Sequence, residues 1–220
     1  MYHIIWTSTA ISSVTARGVV SGTAIAGKPT AVRSANEFEI WRAVPTITTS
    51  GVSLNGRILT SGSNDLYKFQ ISATGGTVDF YQWKFTHATS TCVVSGTWML
   101  YNNTDGAYED SSCTANEAVV TCKAIAGEEI AEGTTKTYTL SNTNITSVNT
   151  VGDSLTVYMN SDTTTYGGTP AAAATVAASH NLTWSDESHS SHTTLTADWT
   201  NGFLLENDNE YKSSTQTSSK

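Results

Sequence analysis

The stretch LYKFQISATGGTVDFYQWKFTH, Leu66 to His87, decides the fold class. In its first half Tyr67, Phe69, Ile71 and Ala73 alternate with Lys68, Gln70 and Ser72. A period of two gives an extended strand one apolar and one polar face. In its second half Tyr81, Trp83 and Phe85 share a face in the same way. Gly75-Gly76 separates the two runs and reads as the tight turn of a β-hairpin.

The same period extends in both directions. Leu155, Val157 and Met159 share a face in SLTVYMN, and Phe38 and Ile40 alternate with Glu37, Glu39 and Trp41 in EFEIWRAV. TWMLY (97–101), KTYTL (136–140) and EAVVTCKAI read alike, and no window sustains a period of 3.6. Asn55-Gly56 and Asn201-Gly202 are tight-turn dipeptides. Pro45 interrupts the run from Phe38 to Ile47, which puts that strand at an edge or at a change of sheet. The small-residue connector TPAAAATVAASH (169–180) suits a short helix or an extended linker equally. Many short strands at this spacing predict an all-β, antiparallel β-sandwich over residues 28–206.

The flanks differ from this core. SVTARGVVSGTAIAG is broken by Gly18, Gly22 and Gly27, so residues 1–27 read as an extended arm or the end of a preceding domain. Residues 207–220, ending YKSSTQTSSK, read as a polar, disordered tail.

Composition narrows the function. Only 14% of the 220 residues are charged, against about 25% in an average soluble domain. Ser, Thr, Asn and Gly carry the polarity instead, as in many extracellular β-proteins. The formal net charge of −8 and the single, scattered Lys28, Arg33, Arg42, Arg57, Lys68 and Lys84 exclude the basic stripe that nucleic acid requires. No apolar run approaches the ~20 residues of a membrane span. MYHIIWTSTAISS (1–13) lacks the positive and apolar regions of a signal peptide, so an exported protein would carry its signal outside this sequence.

Three cysteines forbid complete internal pairing. Cys113 and Cys122 flank TANEAVVT, a spacing that suits a disulfide clip across a hairpin and leaves Cys92 over; the alternative is three reduced thiols. Asn102, Asn144 and Asn181 stand in N-x-[ST] sequons and are glycosylation candidates in an exported chain.

The densest polar cluster is WSDESHSSH (184–192), in which Asp186, His189 and His192 form a candidate metal set. The alternative is a polar surface loop, because the His spacing shares a face only on a helix and the neighbours favour loops. Trp184 and Trp199 bracket this crossing and would each pin one end into the core. Asp186 and Asp198 would accept backbone N–H bonds at its ends, and Asn201-Gly202 would turn the chain into a last strand, FLL. Asp186 and Glu187 are adjacent and point apart in an extended chain, so they form no acid–base pair. No nucleophile elbow, HExxH, phosphate-binding loop or dinucleotide fingerprint is present, and no catalytic residue or cofactor is implied. Trp41, Trp83, Trp98, Trp184 and Trp199 are either a sugar-binding platform or core.

NLTWSDESHSSHTTLTADWTNGFLL (181–205) resembles the closing signature of large secreted surface proteins of candidate-phyla-radiation bacteria (Patescibacteria), W-S-D, a Ser/His loop, then D-W-x-N-G-F. EFEIWRAVPTITT (37–49), the stretch from Leu59 to Thr86, GEEIAEGTTKTYTL (127–140) and GDSLTVYMN are similar to the same C-terminal domain. The likeness covers residues 37 to 205; the Cys-containing hairpin at 108–124 and the NNT after Leu100-Tyr101 depart from it. The resemblance implies an immunoglobulin-like β-sandwich in an extracellular or cell-surface protein, and no catalytic residue.

Together these readings predict a non-enzymatic structural subunit of a filament, pilus-like fibre or surface layer. Its partners would be other copies of itself, joined head to tail by strand donation from the N-terminal arm. The alternative is an adhesion or glycan-binding module that partners cell-surface components.

Overall fold

A computed structural model describes residues 14–17, 24–27, 41–162, 171–206 and 215–220. The chain divides into two compact units, residues 2–40 and residues 41–220, a boundary later than the one expected at 27/28. In the first unit β1 (Val14–Arg17) pairs antiparallel with β2 (Ala24–Gly27). The expected arm therefore holds a self-paired hairpin. The Phe38–Ile40 alternation lies outside the described residues.

The second unit runs through β3 (Val44–Thr48), β4 (Gly62–Thr74), β5 (Val78–Ser90), β6 (Val93–Val94) and β7 (Trp98–Asn102). It continues with β8 (Ala107–Asn116), β9 (Val119–Ile130), β10 (Thr135–Thr146) and β11 (Ser154–Met159). A short helix α1 (Ala173–Ala177), β12 (Thr183–Ser185), β13 (Trp199–Asn201), a 3-10 turn (Phe203–Glu206) and β14 (Gln216–Ser219) complete it.

The unit is an antiparallel β-sandwich made from one curled sheet. One layer orders β3-β4-β10-β7, and the other places β5 beside β9, with β11 and β12 sharing the opposite edge of β5. β8 belongs to both layers, pairing with β7 from Ala107 to Cys113 and with β9 from Thr114 to Asn116. β3 sits at the end of its layer with Pro45, where a missing N–H costs the ladder least.

The double glycine does not make a hairpin. β4 bonds to β3 and β10 while β5 bonds to β9, β11 and β12, so Gly75-Gly76 arches from one layer to the other. Alternation is identical in a hairpin and an arch; only the distant partners decide between them. Gly75 has φ +86, and a Cβ there would meet the Arg42 carbonyl at 3.0 Å.

The arch sets the two apolar faces against each other. Tyr67, Phe69, Ile71 and Ala73 are buried, as are Leu155, Val157 and Met159. Across the layers Phe69 meets Phe85 (6.0 Å between ring centroids) and Trp83 meets Tyr138 (6.0 Å). A register shift beside Leu66 turns both Leu66 and Tyr67 inward. A second one, between Phe80 and Gln82, reverses Tyr81. Tyr81 therefore leaves the face of Trp83 and Phe85 and packs edge-on against Trp199, in a small cluster with Ala173 and Val176. Phe80 takes its place inside, stacked on Trp83 at 5.6 Å.

Two expectations at the C-terminal end are corrected. Phe203–Glu206 are a 3-10 turn, not a strand. Gln216–Ser219, read as part of a tail, form β14 between β11 and residues 57–59. Hydropathy misses β14 because its binding is polar. The buried Gln216 amide accepts the Leu54 N–H (2.7 Å) and the Lys68 N–H (3.1 Å) and donates to the Lys68 carbonyl (2.7 Å), which gives β4 a side chain where a strand would lie.

Candidate functional site

The closing loop brings its residues together in a different grouping from the expected one. β12 and β13 pair antiparallel, Trp184 opposite Thr200, and present both tryptophans inward. Trp184 joins the main core, packs on Trp41 (4.9 Å) and donates its indole N–H to the Asn201 carbonyl (2.8 Å). Trp199 joins the smaller cluster and donates to the Thr193 carbonyl (2.9 Å). Asp162 ties the ends of this hairpin by accepting the N–H groups of Asn181, Leu182 and Gly202.

Asp186 and His192 part company. Asp186 accepts the backbone N–H of Arg42 (2.8 Å) and of Ser188 (3.2 Å). His189 accepts the Ser191 N–H on Nδ1. His192 sits between two carboxylates, Nδ1 at 2.7 Å from Asp198 Oδ2 and Nε2 at 3.0 Å from Asp79 Oδ2, with its ring 5.1 Å from that of Trp199. Asp79 is not part of the polar stretch at all: it lies in β5, far from the loop in sequence, and its position beside the inward Val78 and Phe80 is its one local signal. No ligand set of Asp186, His189 and His192 is assembled. Asp110, Cys113 and Cys122 do approach one another, but Cys113 and Cys122 form a disulfide with Cα atoms 4.5 Å apart and have no thiolate to offer. Cys92 is free and buried.

Burial opposes the charge on His192, but the bonds to Asp198 and Asp79 outweigh it and hold the imidazolium up to about 10. Burial likewise opposes the Asp198 carboxylate, and the bonds from His192 and Thr196 win, holding it down to about 2. Asp79 moves the other way: burial raises it, and its Oδ1 has no hydrogen-bond partner. With both ring nitrogens on carboxylates, the imidazole has no free lone pair for a nucleophile's proton. The trio is a charged clamp fastening loop 186–198 to β5.

A second buried cluster lies between the layers, on β7, β9 and β10. Asn102 follows the inward Trp98 and Leu100 at a period of two; Glu128 precedes the inward Ile130; Lys136 precedes the inward Tyr138 and Leu140. Polar residues on apolar stripes were the legible signal. Glu128 Oε1 accepts from Asn102 Nδ2 (2.9 Å), Lys136 Nζ (2.9 Å) and Tyr138 OH (2.7 Å). Asn102 Nδ2 also reaches Asp105 (2.9 Å) and Glu109 (3.0 Å), and Lys136 Nζ reaches Asp105 (2.7 Å). Asn102 Oδ1 accepts two backbone N–H groups, from Thr104 (3.0 Å) and Asp105 (3.1 Å). Burial and the Glu128 charge push Glu109 up to about 7.

This cluster changes the reading of the sequons. Asn102 is fully buried, so its amide is out of reach of a glycosyltransferase in the folded chain. Asn181 is half-buried, with Nδ2 on the Ser161 carbonyl, and Asn144 is exposed. Trp83, Trp98, Trp184 and Trp199 are buried and form no sugar-binding platform. An aromatic shelf exists elsewhere: Tyr101 and Tyr108, ring centroids 5.0 Å apart, line an open depression of about 460 Å³ with Asp65, Asn103 and Thr139.

Among the described residues no helix is long and apolar enough to cross a membrane. No family model matches the chain, and no curated protein matches it. Among solved structures the chain is similar to the major pilin subunit of Bacillus cereus, at 12% identity and a TM-score of 0.25, over 68% of this chain and 43% of that one. The chain thus spans less than half the length of that pilin.

Proposed function

We propose that the chain is a non-enzymatic structural module of an extracellular or cell-surface assembly whose partners are other copies of itself. The observation that supports this reading is the use of the buried polar groups. The Asp79–His192–Asp198 clamp, the Glu128 cluster, the Gln216 amide and the Cys113–Cys122 disulfide each tie separate strands or loops together. Such fasteners suit a part that bears load or persists outside the cell. The N-terminal hairpin of β1 and β2 is the element we assign to joining copies, its outer edge adding to a sheet of the next subunit. Electron microscopy and sedimentation of the purified chain test this: filaments or lattices are expected, and a monomer at every concentration overturns it. Assembly that survives deletion of residues 1–27 removes the hairpin from the joint.

The Tyr101–Tyr108 shelf favours a second reading, an adhesion or glycan-binding module, because sugars stack on exposed aromatic faces beside polar groups. Cell-wall pull-down that is lost in Tyr108→Ala supports it; absence of retention by the unaltered chain sinks it.

A further inference from the structure

We propose that Lys136 and Asn102 become joined by an intramolecular isopeptide bond that the folded chain forms by itself, with Glu128 carrying the proton. The inference stands whether or not the chain polymerises.

The geometry supplies each part of such a reaction. The nucleophile is the Lys136 amine on β10 and the acceptor is the Asn102 carboxamide on β7. Asn102 lies directly opposite Tyr138, and Lys136 is two residues from Tyr138, so the side chains are diagonal neighbours on one face. Their nitrogens meet at the same two carboxylates, Asp105 and Glu128. The Asn102 carbonyl oxygen already rests on two backbone N–H groups, those of Thr104 and Asp105. That pair would hold the negative charge as the carbonyl carbon becomes tetrahedral. Tyr138, with Phe69 stacked on it at 5.2 Å and Trp83 at 6.0 Å, covers the inner side of the cluster, where Asn102 and Glu128 are buried from water, the competing nucleophile.

The step balances without any added reagent. Nζ must first be an amine, and the carboxylates beside it favour the ammonium. The proton therefore moves to Glu128, and Glu109, which titrates near neutrality, is the neighbour able to keep a proton in the cluster. The Nζ lone pair attacks Asn102 Cγ and a C–N bond forms. The Cγ–Nδ2 bond breaks as Glu128 delivers the proton to Nδ2, which departs as ammonia. Nζ passes its second proton to the Glu128 carboxylate it still contacts, leaving the single N–H of an amide. One amine and one carboxamide become one secondary amide plus ammonia, with nothing oxidised or reduced. Each chain reacts once, so a small amine population suffices.

Intact-mass measurement of the purified, reduced chain tests the proposal. The expected mass lies below that of the sequence by one ammonia, about 17 Da. A protease digest should hold the Asn102 peptide joined to the Lys136 peptide. Lys136→Arg and Glu128→Gln should each restore the full mass, the first by removing the nucleophile and the second the proton carrier. A full-mass wild-type chain overturns the proposal. So does a deficit with the two peptides separate, which marks a backbone succinimide. A cross-link persisting in Glu128→Gln overturns the role given to that carboxylate.

Discussion

His192 has its charge fixed by neighbours that lie far away in the sequence. Its folded pKa of about 10 lies above the ordinary value of 6.5, so its contribution to stability is complete below pH 6.5 and is lost as pH climbs through 10. Asp198, at about 2 against an ordinary 3.8, contributes fully above pH 3.8 and loses its share as pH falls through 2. His192→Gln leaves two buried carboxylates without their cation, at a cost of about 3 kcal/mol. Near pH 6 this corresponds to a Tm lower by roughly 10 °C. Thermal melts of both proteins should show that gap narrowing from pH 6.5 to 10; a gap constant across that range would remove the imidazolium from the account. Sequence could nominate His192, because it sits in a conspicuous polar loop, but Asp79 is invisible there: its partner is 113 residues away.

At the scale of elements, the strands were legible and their pairing was not. The alternation of Tyr67, Phe69 and Ile71 marks β4 without ambiguity, because burial follows a local period. The same alternation cannot distinguish a hairpin at Gly75-Gly76 from the arch that is found. Nor can it foresee a bulge, and the one between Phe80 and Gln82 is what takes Tyr81 off the face of Trp83 and Phe85. The strand β14 escaped for a different reason. It has no apolar stripe, and Gln216 earns its place through hydrogen bonds that exist only once β4 is there. Gln216→Ala would strip partners from the Leu54 and Lys68 N–H groups and from the Lys68 carbonyl, costing about 3 kcal/mol. Hydrogen exchange at Leu54 and Lys68 should accelerate with it, and unchanged protection at both amides would show that β14 does not close that edge.

For the whole molecule, the two layers are less separable than in a sandwich of two independent sheets. β8 carries the hydrogen-bonded ladder from one layer into the other, with the disulfide to β9 close to where it crosses. The clamp at His192 and the cluster at Glu128 add polar ties to loop and layers. The sequence could suggest a polar, extracellular-type β-protein from its few charges and many hydroxyls. It could not show that Asp79, Glu128 and Asp198 are buried among partners, because each group's partner is supplied by the fold. The assembly reading belongs to this scale, and electron microscopy of the purified chain is its measure.

The Gln216 contact with Lys68 spans 148 residues, so the loop it closes contains most of the sandwich. Bringing such distant segments together is entropically slow, and sheets built this way fold late at their seams. Until β14 arrives, β4 presents bare backbone at Lys68 to whatever strand is nearest. The interval before the seam closes is therefore the chain's period of greatest risk of pairing with another copy in the wrong register.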